Sequence, residues 1–165
     1  MKKLEYKVID NFLDEEFYLQ LKKSIEDPDF PWRARMSDPY VDKGYFTHSI
    51  FHTYRINSFM YENSLVPILD KLEARSIIKA SFHMFLTELF KKNFTEYHQD
   101  CPYNCNSAVL NFTNCNGGTQ LKIKDKEINI ESKENRMVIF NSLINHRTIK
   151  HTDSDSRFIL NINYF

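Results

Sequence analysis

The sequence predicts a mainly β chain with N-terminal helices, an α+β architecture whose β part is a double-stranded β-helix, or jelly roll. Three observations carry this. After Arg75, eight short β-rich runs follow one another with turn residues between them, in about 90 residues, the rhythm of a double-sheet jelly roll. The composition favours strands, with 14 Phe and 9 Tyr against only 3 Gly. Before Arg75 the apolar spacing is helical instead. A single domain over residues 1–165 follows, with 1–75 as helical support and 76–165 as the jelly-roll core. A chain of this length buries a sizeable core.

Residues 10–27, DNFLDEEFYLQLKKSIED, place Phe17, Leu21 and Ile25 at helical spacing. Acids lead and lysines trail, as the helix dipole favours. Residues 27–40, DPDFPWRARMSDPY, hold three prolines and read as a loop. Trp32, Arg33 and Arg35 then fall on a surface loop, with contact to a substrate as the alternative. His48 and His52, in HSIFH, have i,i+4 spacing; two metal ligands on a helix is one reading, and a loop or surface role is the simpler one. Residues 63–74, NSLVPILDKLEA, predict a second helix that tolerates Pro67 in its first turn.

The β runs are 77–86, 95–100, 107–113, 119–123, 127–131, 136–140, 146–150 and 157–165. Gly117 and Gly118 read as a turn between the third run and the fourth.

Charge and targeting features exclude several classes. Lys+Arg and Asp+Glu are both 22, so the chain lacks the basic footprint of a general nucleic-acid binder. The opening MKKLEYKVID has no apolar stretch and is not a signal peptide. No run approaches a membrane span. Cys101, Cys105 and Cys115 make an odd number and read as free thiols in a reducing cytoplasm.

Chemistry first appears in TEYHQDC, residues 95–101. On a strand, His98 and Asp100 point to the same side, so an imidazole and a carboxylate converge on one point, which suits a metal ion. A third ligand would come from His83, His146 or His151. Two histidines and one carboxylate make the facial triad of non-haem Fe(II) oxygenases, which leaves open positions for substrate and O2. Cys101 and Cys105 with His98 offer a zinc alternative, but the chain has no second Cys/His cluster, only Cys115.

The last run, RFILNINYF, puts Arg157, Ile159, Asn161 and Asn163 on one face and Phe158, Leu160, Ile162 and Tyr164 on the other. The second face is core. If the first lies inside a barrel, Arg157 needs a carboxylate, best supplied as a bidentate pair. No protein acid has an obvious claim, so a bound dicarboxylate would fit. The alternative is a solvated face.

The order HQD, LNFTNCNGGT, ENRMVIFNSLINH and SRFILNINYF resembles the 2-oxoglutarate- and Fe(II)-dependent oxygenase superfamily. It is most similar to the small prolyl-hydroxylase-like members of phages and marine microbes. VIDNFLDEEF, DFPW and the YFTH at 45–48 extend the likeness over nearly the whole chain. The resemblance implies a catalytic Fe(II) held by His98, Asp100 and His146, with Arg157 taking the distal carboxylate of 2-oxoglutarate. It implies O2 as co-substrate and ascorbate as a candidate addition. Asn111 stands where the family often has a tyrosine. Ser81 and His83 stand where it places an amide and an aromatic on the first strand, and Asn161 joins them as a cosubstrate contact.

The implied activity is hydroxylation of a C–H bond in a peptidyl proline, an amino acid or another small molecule, with conversion of 2-oxoglutarate to succinate and CO2. Alternatives are a metal-binding isomerase, a non-catalytic ligand-binding module or a nucleobase demethylase, the last disfavoured by the neutral charge. His146 is preferred to His151 as the last ligand. His151 flanks the TDSDS turn nearly opposite Arg157, which leaves too little room for a 2-oxo acid between metal and guanidinium.

Overall fold

The last strand organises the layers. In the computed structural model of the chain, which describes residues 5–36, 45–87 and 94–165, β11 (Ser156–Tyr164) lies inside the larger of two sheets. It pairs with β5 (Ile77–Leu86) on one side and β6 (Asn106–Asn111) on the other. Beyond β6 come β9 (Arg136–Asn141) and β1 (Tyr6–Ile9). Beyond β5 come β3 (Tyr45–His52) and β2 (Arg33–Arg35), with β4 (Arg55–Ile56) attached to β3. The smaller sheet is β10 (Asn145–Ile149), β7 (Cys115–Ile123) and β8 (Lys126–Ser132). All pairings are antiparallel. The two facing sheets are the predicted jelly roll.

Strand alternation separates two cores. Leu160, Ile162, Ala108, Leu110, Met137 and Phe82 occupy the convex face of the large sheet. There they meet α1 (Glu15–Glu26) through Tyr18, Leu21 and Ile25. They also meet the second helical segment, a π-type turn at Tyr61–Leu65 running into α2 (Val66–Lys71), through Leu65 and Ile68. Pro67 sits in the first turn of α2, where its missing N–H costs nothing. Val109, Val138, Phe140 and Ile159 point the other way and pack between the sheets against Leu121 and Ile130. The face of β11 that begins with Arg157 is therefore interior and not solvated.

Several sequence expectations change here. The described residues within 1–75 supply four strands as well as the helices, so the N-terminal part belongs to the large sheet and is more than helical support. Arg33 and Arg35 lie on strand β2 and not on a loop, because Phe30 and Trp32 pack on Phe158 and Phe82 and draw the chain alongside β3. HSIFH is strand β3 and neither helix nor loop. Among the described residues the run 95–100 forms no continuous strand; isolated bridges join Phe94 to Ile149 and His98 to His146. No described helix is long and apolar enough to cross a membrane.

Gly117 and Gly118 form no turn. They lie within β7, where the register against β8 shifts between Cys115 and Gly118. A Cβ on Gly118 would overlap the Ile130 carbonyl oxygen across the strand pair. Gly118→Ala is therefore expected to force β7 and β8 apart and destabilise the fold by about 1–3 kcal/mol. Urea unfolding monitored by circular dichroism checks this, and an unchanged midpoint would contradict it.

Candidate metal centre and adjoining pocket

The two histidines meet because two backbones pair. His98 N–H donates to the His146 carbonyl and His146 N–H to that of His98, both at 3.0 Å. This hydrogen-bonded antiparallel pair brings the imidazole centroids to 4.4 Å. Each Nδ1 faces a backbone carbonyl, Glu96 O at 3.3 Å for His98 and Ile144 O at 2.9 Å for His146. A carbonyl only accepts, so Nδ1 carries the proton and Nε2 keeps its lone pair for a ligand.

Asp100 arrives from another direction. Its Oδ2 accepts from Ser107 Oγ at 2.7 Å and Asn163 Nδ2 at 3.0 Å, both on the large sheet. That leaves Oδ1 turned to the histidines, 3.7 Å from His146 Nε2 and 4.0 Å from His98 Nε2. One atom each from His98, Asp100 and His146 lies within 4.8 Å of the others, a spacing that an ion with bonds near ~2.1 Å bridges with small adjustments. The donor set of two neutral nitrogens and one carboxylate fits Fe(II).

Electrostatics prepare the ligands. Burial pushes the Asp100 carboxyl up, but the protonated form of His146, Lys79 and the Asn163 donor outweigh it and hold the group well below the usual carboxylate range. Burial and the protonated form of His146 push His98 down, which favours the neutral, metal-binding form.

The sequence argument anticipated the convergence by a different route. His98 and Asp100 are brought together by a bridge and a bend, not by strand alternation. Ser107 and Asn163, which aim the carboxylate, were not singled out from the sequence. Their visible trace was the alternation that put Asn163 on the polar face of the last run.

The triad borders a pocket of ≈ 560 Å³ lined by the concave face of the large sheet, with Ser81, His83 and Asn161 in its wall. Ser81 pairs with Asn161 across β5 and β11. His83 packs against Tyr45 and Phe85 and is not part of the triad. Asn161 Oδ1 is buried with no hydrogen-bond partner among the described residues. His52 lines the mouth, whereas His48 turns to the convex side and bonds Pro31 O and Ser58 Oγ. Cys101, Cys105 and Cys115 are free and buried and join no metal cluster among the described residues.

Arg157 is 1 % exposed. Its donors reach Ser132 Oγ at 3.2 Å, Gly118 O at 2.9 Å and Asn111 Oδ1 at 3.0 Å, all neutral acceptors. Asn111 thus occupies the guanidinium's own shell. Burial pulls Arg157 down to about 10, opposed by Cys115, and the group stays charged at neutral pH. The pocket wall includes Arg157's neighbours Phe85, Ile159 and Thr119 but stops short of the guanidinium itself. His151 is buried beside Gly117, under the charge of Arg157, and does not approach the triad.

No family model and no curated protein sequence matches the chain. Solved structures do. A 2OG-Fe(II) oxygenase family oxidoreductase from Burkholderia pseudomallei superimposes with a TM-score of 0.76 at 10% identity, over 99% of this chain and 86% of that one. The chain has the fold of the 2-oxoglutarate- and Fe(II)-dependent oxygenases. A prolyl-4-hydroxylase from Pseudomonas putida gives 0.71 at 13% identity over 97% and 92% of the two chains. A prolyl hydroxylase from Trichoplax adhaerens, in complex with a hypoxia inducible factor peptide fragment, gives 0.72 at 15% over 98% and 83%.

Asn163→Leu removes a donor from Asp100 and should weaken Mn(II) binding by about 10–100-fold while the protein stays folded; titration followed by electron paramagnetic resonance checks it, and wild-type affinity would contradict it. In the metal-free protein His48, His98 and His151 all lie below the ordinary 6.5, chiefly through burial. The unfolded chain therefore binds protons first as pH falls, so stability is full above pH 6.5 and declines below it. Thermal melting across that range should show a falling midpoint on acidification; a rising one would refute the assignment.

Proposed function

We propose that this chain is an Fe(II)- and 2-oxoglutarate-dependent dioxygenase that hydroxylates a C–H bond of a peptide or small-molecule substrate. The observation that carries the reading is the convergence of His98, Asp100 and His146 at a pocket that ends beside a buried arginine with no carboxylate partner among the described residues.

His98, Asp100 and His146 would hold the metal through Nε2, Oδ1 and Nε2. Fe(II) with 2-oxoglutarate supplies O2 activation, with succinate and CO2 as the co-products of substrate oxidation. The protein's residues do the rest. Ser107 and Asn163 keep one carboxylate oxygen aimed at the metal. Asn111, Ser132 and the Gly118 carbonyl fix the Arg157 guanidinium for the distal carboxylate of 2-oxoglutarate, a charge-assisted contact. Asn161 and Ser81 offer polar contacts along the wall between them, with His83 beside. Ile159, Val109 and Phe85 line the pocket with apolar surface that excludes water. The peptide bound by the Trichoplax enzyme supports a peptide or small-molecule substrate here, and the free thiols support a reducing compartment.

The test is succinate formation from 2-oxoglutarate with Fe(II) and O2. His146→Ala should abolish it, and His151→Ala should retain a substantial part. Arg157→Ala should weaken 2-oxoglutarate binding to the Mn(II) protein by about 30-fold or more, since loss of such a contact costs about 2–5 kcal/mol. Arg157→Lys, which keeps the charge, guards against loss of folding and should bind better than Arg157→Ala. An active His146→Ala or an unaltered affinity in Arg157→Ala contradicts the reading.

A further inference from the structure

The pocket holds a cation that the oxygenase reading does not use. Lys79 stands on the concave face of β5, and its Nζ lies 4.0 Å from Asp100 Oδ1. Asp100 is the carboxylate in the pocket wall among the described residues. Once its Oδ1 binds a metal, that oxygen no longer serves as a counter-charge for Lys79.

The charges then do not balance. A divalent metal and Arg157 against Asp100 and a dianionic 2-oxo acid cancel. The ammonium of Lys79 is left over, 35% exposed toward the cavity. The other basic groups in the wall differ. Arg147 donates to Gln120 Oε1, lies 3.8 Å from Glu127 and stacks on Phe94 and Tyr97, so it is engaged. Arg35 is exposed on β2 and lies level with Phe85, at the Arg157 end of β5 and away from Lys79.

We infer that the substrate carries an anionic group, a carboxylate or a phosphate, which Lys79 receives beside the metal. This rests on the oxygenase reading and adds a substrate class to it. Lys79 acts by charge-assisted contact and sets specificity against neutral analogues, which would leave the ammonium unpaired.

The experiment follows water-proton relaxation of the Mn(II) protein saturated with 2-oxoglutarate, titrated with acetate, inorganic phosphate and neutral acetamide. At least one anion should perturb the signal saturably and without displacing 2-oxoglutarate, while acetamide should not. A response to acetate alone marks a carboxylate substrate, and one to phosphate alone marks a phosphate ester. Lys79→Met should weaken the anion about tenfold or more in protein saturated with Mn(II) and 2-oxoglutarate, and Lys79→Arg should restore most of the binding. The inference is overturned if no anion binds, if acetamide binds as acetate does, if Lys79→Met binds anions like the wild type, or if it loses 2-oxoglutarate instead. A wild-type protein that binds neither Mn(II) nor 2-oxoglutarate takes down the oxygenase reading itself, and the titration reports this before any anion is added.

Discussion

The carboxylate of Asp100 is held by one sheet and presented to histidines held by the other. Ser107 and Asn163 grip Oδ2 from the large sheet, while His98 and His146 are fixed by their backbone bridge at the edge of the small one. The separation of the two sheets therefore sets the spacing of these three side chains. That separation is in turn fixed by the apolar packing of Val109, Val138 and Ile159 against Leu121 and Ile130. A cavity opened in this inner core would move the ligands apart, so here stability and metal affinity share one set of contacts.

The inner face of the large sheet bears an energetic burden. Arg157, Asn161 and Asn163 stand in a row where a stability-optimised strand would carry Val or Ile. Among the described residues Asn161 and Asn163 each leave an oxygen without a donor, and Arg157 has neutral acceptors where a carboxylate would serve better. Buried polar groups left short of partners are costly. In this chain they lie where a polar, doubly charged ligand would complete them, and departures from local rules concentrate at such sites. The convex face of the same strand, with Leu160 and Ile162, follows the ordinary pattern and anchors the strand against the helices.

Much of this was legible in the sequence, because period-two alternation and turn residues are local. Seven of the eight β runs are strands, α1 ends within a residue of its expected C-terminus, and Pro67 sits in the first turn of its helix. The convergence of His98, Asp100 and His146 was legible as a His-x-Asp with a later histidine. The failures are non-local. Residues 6–9 and 45–52 become strands because β9 and β5 offer them edges. The run 95–100 loses its strand because it is pulled between the small sheet and the grip of Ser107 and Asn163. Gly117 and Gly118 looked like a turn since no local rule reports a close approach from a neighbouring strand. Asn163 and Ser107 could not be assigned to Asp100 without knowing that their strands are paired.

If three side chains from two sheets form one metal centre whose 2-oxo-acid cosubstrate reaches Arg157, a crystal structure of the protein grown anaerobically with Mn(II) and 2-oxoglutarate will show it. The expected map has a single strong anomalous peak among His98 Nε2, Asp100 Oδ1 and His146 Nε2, with the 2-oxo acid chelating it and its far carboxylate against the Arg157 guanidinium. A metal bound elsewhere, or a cosubstrate whose far carboxylate rests on Lys79 while Arg157 keeps only its neutral acceptors, would contradict it.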